Sequence, residues 1–339
     1  MERAFYMLGL IILASFAVSE VNLKNTGNGE DKIFLHDGFE RSYKIYQPKS
    51  LPKGSPMLLL LHGQGSSNRW TFTTGFNALA EQHGFLVVYP QSHKKEVRLD
   101  GALAEQPGMP KHLIPMFEKI AKCQKNEIFT YMAMNFTCQA NGVGVTHVVM
   151  WNHTHEDTLF DDQSDTAFLT SLAKTLQKEF FIDPKRTFVS GFSNGGFMSY
   201  SLICDEKTPF KAAAIVAGLI DETVLQNCTT RLTPVIHFHG EEDSMVPIEG
   251  NKDQGSPSAQ SIVEYFASLN DSLAIEKIQV TPNTIQTKYS PKHKGAKVQF
   301  YRIEGHGHVW PGRLNEVKKG MDNSGLNATE LIWDFFSTL

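Results

Sequence analysis

Residues 187–204 read TFVSGFSNGGFMSYSLIC. Thr187 to Ser190 has the composition of a short strand, and Gly195 to Cys204 reads as a helix. Between them stands Gly191-Phe192-Ser193-Asn194-Gly195, a G-x-S-x-G sequence where strand turns into helix. A sharp strand-to-helix turn holds its serine in a strained backbone conformation that only small neighbours permit, and lifts Oγ above the end of the sheet. The helix that follows offers N–H groups and the positive end of its dipole to a developing oxyanion. The five-residue pattern alone is weakly specific, and its strand-then-helix setting supplies the meaning.

On both sides of this turn, apolar runs alternate with helical patterns. Met57 to Leu61 (MLLLL) and Phe85 to Tyr89 (FLVVY) are continuous apolar runs, as strands buried on both faces should be. Phe72 to His83 predicts a helix stopped by Gly84, and Asp165 to Phe180 carries Phe168, Leu169, Leu172, Leu176 and Phe180 at helical spacing. Ala212–Ala217, Val235–His239 and Val298–Ile303 read as strands, and Ser258–Leu269 and Ala328–Phe336 as helices. This alternation predicts an α/β fold, a mostly parallel central sheet with helices on both faces, in a single domain over 20–339. Between Tyr89 and Asp165 lie roughly seventy residues without clear periodicity. A loop of that length is expected to be a functional insert, a lid over a site, or else a passive surface excursion.

A nucleophilic serine needs a base, and the base an orienting acid. On sheets of this kind they follow in the order Ser, Asp or Glu, His, each after a later strand. Val235–His239 runs into Gly240-Glu241-Glu242-Asp243, and Val298–Ile303 runs into Gly305-His306-Gly307-His308. Three strand ends in the right order thus supply the three residue types. After the first buried strand comes His62-Gly63-Gln64-Gly65, a turn expected to bring the backbone N–H of Gln64 beside that of Asn194 as an oxyanion hole. The pairs His153/His155, His237/His239 and His306/His308 each read H-x-H, but no third ligand stands at a metal-site spacing, so no metal is expected. His237 and His239 read as structural, and Asp161, Asp162 and Asp165 as caps of the following helix.

The chain has 339 residues, 32 Lys+Arg against 36 Asp+Glu, 41% hydrophobic and 11% aromatic residues. That composition fills a core and excludes disorder or a fibre as the main state. The balanced charge, without a long basic run, gives no footprint for nucleic acid. Residues 1–19 read as a signal peptide, with Arg3, the apolar AFYMLGLIILASFAVS and Ala17-Val18-Ser19 before the cleavage point, so the mature chain is expected to begin near Glu20 without a membrane anchor. Five Asn-x-Ser/Thr sequons, at Asn135, Asn152, Asn227, Asn270 and Asn327, point the same way, to a secreted glycoprotein. The even count of 4 Cys suits two bridges in an oxidising compartment.

LLLLHGQGSS (58–67), GFSNGGFMSY (191–200), HFHGEEDSMVP (237–247) and HGHVWPG (306–312) together resemble the extracellular polyhydroxybutyrate depolymerase and feruloyl esterase group of α/β-hydrolases. The resemblance runs from about residue 40 onward, with LIWDFF (331–336) similar to the group's last helix. Its G-x-S-N-G-G motif falls on Ser193 as nucleophile. H-G-x-x-D-x-x-V-P selects Asp243 over Glu241 and Glu242, and G-H-x-W-P selects His308 over His306. Trp151-Asn152 is similar to a Trp-Asn pair the group has near its site. The departure is the stretch 92–150, longer than the group leads one to expect, and it leaves the substrate open among polyhydroxyalkanoate, feruloylated or acylated polysaccharide and small esters.

The resemblance implies an α/β-hydrolase fold and a secreted serine esterase working without cofactor. The alternatives are a serine peptidase of related fold and a secreted matrix or binding protein that has lost activity. Position and resemblance together favour the pairs Cys123–Cys138, closing a loop inside the insert, and Cys204–Cys228, tying the helix after Ser193 to the chain ahead of the strand leading to Asp243.

Overall fold

The computed structural model describes residues 29–105, 114–131, 134–154, 164–229, 232–251, 255–291, 293–313 and 322–339. The expected signal peptide, His155, Asp161 and Asp162 lie outside these residues. The strands are β1 (Glu30–His36), β2 (Phe39–Tyr46), β3 (Met57–Leu61), β4 (Leu86–Pro90), β5 (Lys94–Asp100), β6 (Ile128–Tyr131), β7 (Met134–Cys138), β8 (Val143–Val149), β9 (Thr187–Phe192), β10 (Ala212–Val216), β11 (Val235–Gly240), β12 (Ala274–Thr281), β13 (Thr284–Ser290) and β14 (Val298–Ile303). The helices are α1 (Asn68–Thr71), α2 (Phe76–His83), α3 (Ile114–Lys122), α4 (Asp165–Glu179), α5 (Asn194–Cys204), α6 (Glu222–Gln226), α7 (Ala259–Leu269) and α8 (Ala328–Ser337).

Ten strands form one sheet in the order β1-β2-β4-β3-β9-β10-β11-β14-β13-β12. The run from β4 to β14 is parallel, and antiparallel strands extend it at both edges. Strand geometry sends alternate side chains to opposite faces. Met57, Leu59 and Leu61 of β3 accordingly join one core with α4, α5 and α7, while Leu58 and Leu60 join the other with α2 and α8. Both faces are covered, which is why β3, β4, β10 and β11 are buried at every position and, apart from His237 and His239 of β11, are built mainly from apolar residues. Helix starts are capped by side chains: Ser164 accepts from Ala167 N, Ser258 from Ser261 N, and Asn327 from Thr329 N. Helix α2 begins at Phe76 rather than Phe72, because the chain passes through Gly75 at φ 100°.

The stretch expected as one long loop is largely regular structure. Strands β5, β8, β7 and β6 pair in that order, all antiparallel, into a second sheet on which α3 packs. It has its own core, built from Val97, Leu99, Met116, Phe117, Ile120, Phe129 and Phe136. A disulfide joins Cys123, just past α3, to Cys138 of β7. A second joins Cys204, the last residue of α5, to Cys228. The hairpin β12–β13, at the far edge of the main sheet, is an addition to the elements expected from sequence.

Two of the five sequon asparagines are buried. Asn270 is fully buried, its amide accepting from Thr233 N at 3.0 Å and donating to Thr233 O at 2.6 Å. Asn152 is buried as well, its Oδ1 accepting from Thr154. Neither amide nitrogen is presented to a glycosyl donor in the folded chain. Asn135, Asn227 and Asn327 are exposed. Among the described residues, no helix is long and apolar enough to cross a membrane.

Candidate active site

Strand β9 ends at Phe192 and α5 begins at Asn194, leaving Ser193 as the single residue of the turn, at φ 55° and ψ −123°. A non-glycine residue with that φ is held there by its surroundings. They are tight on both sides: a Cβ on Gly191 would lie 2.0 Å from the Gly195 carbonyl oxygen, and one on Gly195 would lie 2.4 Å from that of Leu61. Both glycines of G-x-S-x-G are therefore sterically required.

The loop after β11 carries Asp243, and the loop after β14 carries His308. The His308 Nδ1–H donates to Asp243 Oδ2 at 2.7 Å. The other carboxylate oxygen accepts from the backbone N–H groups of Met245 and Val246 at 3.0 and 2.8 Å. Burial pushes this carboxyl up, but the His308 ring, the His239 ring and the Val246 N–H outweigh it, and the acid stays below the usual carboxylate range. The ring of Phe192, next to Ser193, lies 4.8 Å from that of His308, so the serine turn and the His–Asp pair share one end of the sheet.

The other histidines are occupied differently. His306 is buried, with Nε2 3.2 Å from Val309 O and Nδ1 3.3 Å from Asp322 Oδ1. His306 therefore braces its own loop. Asp322 also accepts from Gly312 N and Ser324; burial raises its carboxyl, and these bonds, led by that of His306, bring it down to about 2. His237 and His239 form a buried chain: Tyr200 Oη lies 2.7 Å from His237 Nδ1, His237 Nε2 3.0 Å from His239 Nδ1, and His239 Nε2–H donates to Val246 O at 2.8 Å. With Nε2 as donor, His239 Nδ1 must accept, so His237 donates from Nε2 and Tyr200 donates to His237.

The turn His62–Gly65 packs directly on Ser193: a Cβ on Gly63 would lie 3.3 Å from the Ser193 Cβ. His62 is buried, and its Nε2 accepts from Ser92 N at 3.1 Å. Burial, the largest influence on this ring, holds its pKa down to about 4, so it is neutral and its Nδ1–H donates to Gly63 O at 2.8 Å. The side-chain amide of Gln64 is buried with no hydrogen-bond partner among the described residues.

Two residues here do something other than the sequence indicated. Trp151 is fully buried between the His62 turn and α5. Asp165 opens α4, but the cap is Ser164; Asp165 instead pairs with Arg41 at 2.5 Å and Lys95 at 3.1 Å, and accepts from Asn152 N at 2.7 Å. The capping role expected for Asp165 is thus replaced by a buried ion cluster joining β2, β5 and the segment after β8. The only sequence signal for this cluster was the Trp-Asn pair.

The sequence profile of the phospholipase/carboxylesterase family matches residues 146–263, a span that holds Ser193 and Asp243 and stops before His308. A bifunctional acetylxylan esterase/xylanase from Neocallimastix patriciarum is 23% identical over 80% of this chain, and the match spans 31% of that protein's own length. A protein named probable feruloyl esterase C from Aspergillus clavatus is 28% identical over 51% of this chain and 57% of its own. Among solved structures, the acetyl xylan esterase from Aspergillus awamori superposes with a TM-score of 0.52 at 14% identity, covering 87% of this chain and 99% of that one. The chain thus has an α/β-hydrolase fold and, over part of its length, is similar to carboxylesterases and feruloyl esterases.

Proposed function

We propose that this protein is a serine esterase in which Ser193 is the nucleophile, His308 the base and Asp243 the orienting acid. The observation that carries the reading is the 2.7 Å bond from His308 Nδ1 to Asp243 Oδ2 beside a serine at φ 55° on a strand-to-helix turn. With Nδ1 committed to Asp243, His308 Nε2 is the nitrogen left to take the Ser193 proton. The serine oxygen then adds to the ester carbonyl, and the negative oxygen is met by the N–H groups of Asn194 and Gln64. Collapse expels the alcohol, which takes its proton from His308. Water, deprotonated by the same ring, adds to the acyl-enzyme, and a second collapse releases the acid and restores Ser193. The expected signal peptide and the two disulfides support a secreted enzyme. The names of its relatives support esters carried on polysaccharides as substrates.

The test is a panel of p-nitrophenyl, feruloyl and hydroxybutyrate esters on purified protein with a fluorophosphonate label. Ser193→Ala and His308→Ala each remove nearly all turnover, because the three residues act as a unit. A wild-type protein that hydrolyses none of the panel and takes no label would instead be a binding protein on a hydrolase fold.

A further inference from the structure

We propose that Trp151 is a positioning residue that holds the two halves of the oxyanion hole in register, an inference that rests on the esterase reading above. The two N–H donors come from segments far apart in sequence, Gln64 after β3 and Asn194 at the start of α5. Trp151 is bonded to both segments. Its indole Nε1–H donates to His62 O at 2.9 Å. Its backbone N–H donates to Asn194 Oδ1 at 2.7 Å, and Asn194 Nδ2 donates back to Trp151 O at 3.1 Å. The Asn194 side chain thereby pairs with the Trp151 backbone in both directions, as a neighbouring strand would.

The direction of each donor follows from peptide planarity. In a trans peptide the C=O and N–H of one unit point opposite ways. The Gln64 N–H shares its peptide with Gly63 O, which the His62 ring holds at 2.8 Å and Ser66 N at 3.2 Å. The preceding peptide is fixed by Trp151 through His62 O, and the indole lies 5.1 Å from the His62 ring. Two successive peptide planes are therefore pinned, and the second of them carries the donor. A donor aimed before the reaction begins stabilises the oxyanion without reorganising, which is the source of its catalytic effect. Trp151 makes its hydrogen bonds to His62 and Asn194, so its influence passes through the donors of Gln64 and Asn194.

The test compares wild type with Trp151→Phe, with Asn194→Ala, which keeps the backbone donor but removes the pairing, and with Trp151 replaced by benzothienylalanine, in which sulfur stands for the indole N–H. The last variant keeps the shape of the ring, should the phenylalanine variant fail to fold. On p-nitrophenyl acetate, kcat falls roughly tenfold to hundredfold while KM stays within about twofold. Affinity for a trifluoromethyl ketone, which binds as a charged tetrahedral adduct, falls by the same factor as kcat. The double variant Trp151→Phe/Asn194→Ala loses less than the product of the single losses. Folded variants with wild-type kcat, or a kcat loss unaccompanied by loss of ketone affinity, overturn the proposal and leave the esterase reading intact. A wild type inactive on every ester and unlabelled by fluorophosphonate overturns both.

Discussion

At the scale of single residues, the two histidines of Gly305-His306-Gly307-His308 separate by environment. His308 faces Asp243, whereas His306 is sealed against Val309 and Asp322. His306→Ala therefore costs stability, about 1–3 kcal/mol for the bonds lost to Val309 O and Asp322, while the folded fraction keeps most of its turnover. Denaturant melts set beside active-site titration check this, and a folded but inactive His306→Ala would move the base assignment. Asp165 carries more of the fold. Removing it as Asp165→Ala leaves the Arg41 and Lys95 cations buried without their anion, at a cost of about 3–5 kcal/mol. Urea unfolding measures it, and a loss under 1 kcal/mol would show that the cluster is solvated.

At the scale of elements, the Cys123–Cys138 bridge closes a span of 15 residues within the smaller sheet. The chain-entropy estimate gives about 3 kcal/mol for such a loop. Cys123→Ser/Cys138→Ser is expected to lose amide protection across β5–β8 while β9, β10 and β11 keep theirs, as hydrogen-exchange mass spectrometry would show. Glycan mapping of protein from secreting cells should find occupancy confined to Asn135, Asn227 and Asn327; sugar on Asn270 would show that this side chain is not buried against Thr233. The parallel strands were legible in the sequence because burial on both faces leaves continuous apolar runs such as Met57 to Leu61. The same reading missed β5–β8 and β12–β13, whose exposed positions interrupt the apolar signal: β12 is exposed or half-exposed along its whole length. The turn at Ser193 and the loops after β11 and β14 were legible as strand ends, whereas the choice of Asp243 over Glu241 and Glu242, and of His308 over His306, came from the resemblance. Trp151 and Asp165 work through backbone atoms and long-range pairs, which leave no local pattern.

At the scale of the whole molecule, acid is expected to unfold this protein early. Burial is the largest influence on His62, His153, His237 and His239 and lowers all four below 6.5, His62 and His153 to about 4. Below pH 6.5 the unfolded chain binds protons at these rings and the native chain does not, so stability falls as pH drops toward about 4. His62 and His153 each contribute up to about 1.4 kcal/mol per pH unit inside that window, and His237 and His239 act in the same direction. Unfolding free energies at pH 7 and pH 5 decide the matter, and equal values would mean that these sites open to solvent.

The smaller sheet is fastened at both of its ends to one turn. Ser92 N, just ahead of β5, donates to the His62 ring, and Val149 O, the last of β8, accepts from Gly65 N at 2.8 Å. For protein engineering this makes the sheet a poor cassette. Exchanging it for the corresponding segment of another hydrolase, with the aim of altering substrate preference, would also re-anchor the turn beside Ser193. Chimeras cut at these borders should therefore change in rate even toward small esters that never reach the exchanged surface, and a graft that carries residues 62–65 and 149–152 with it should recover that rate.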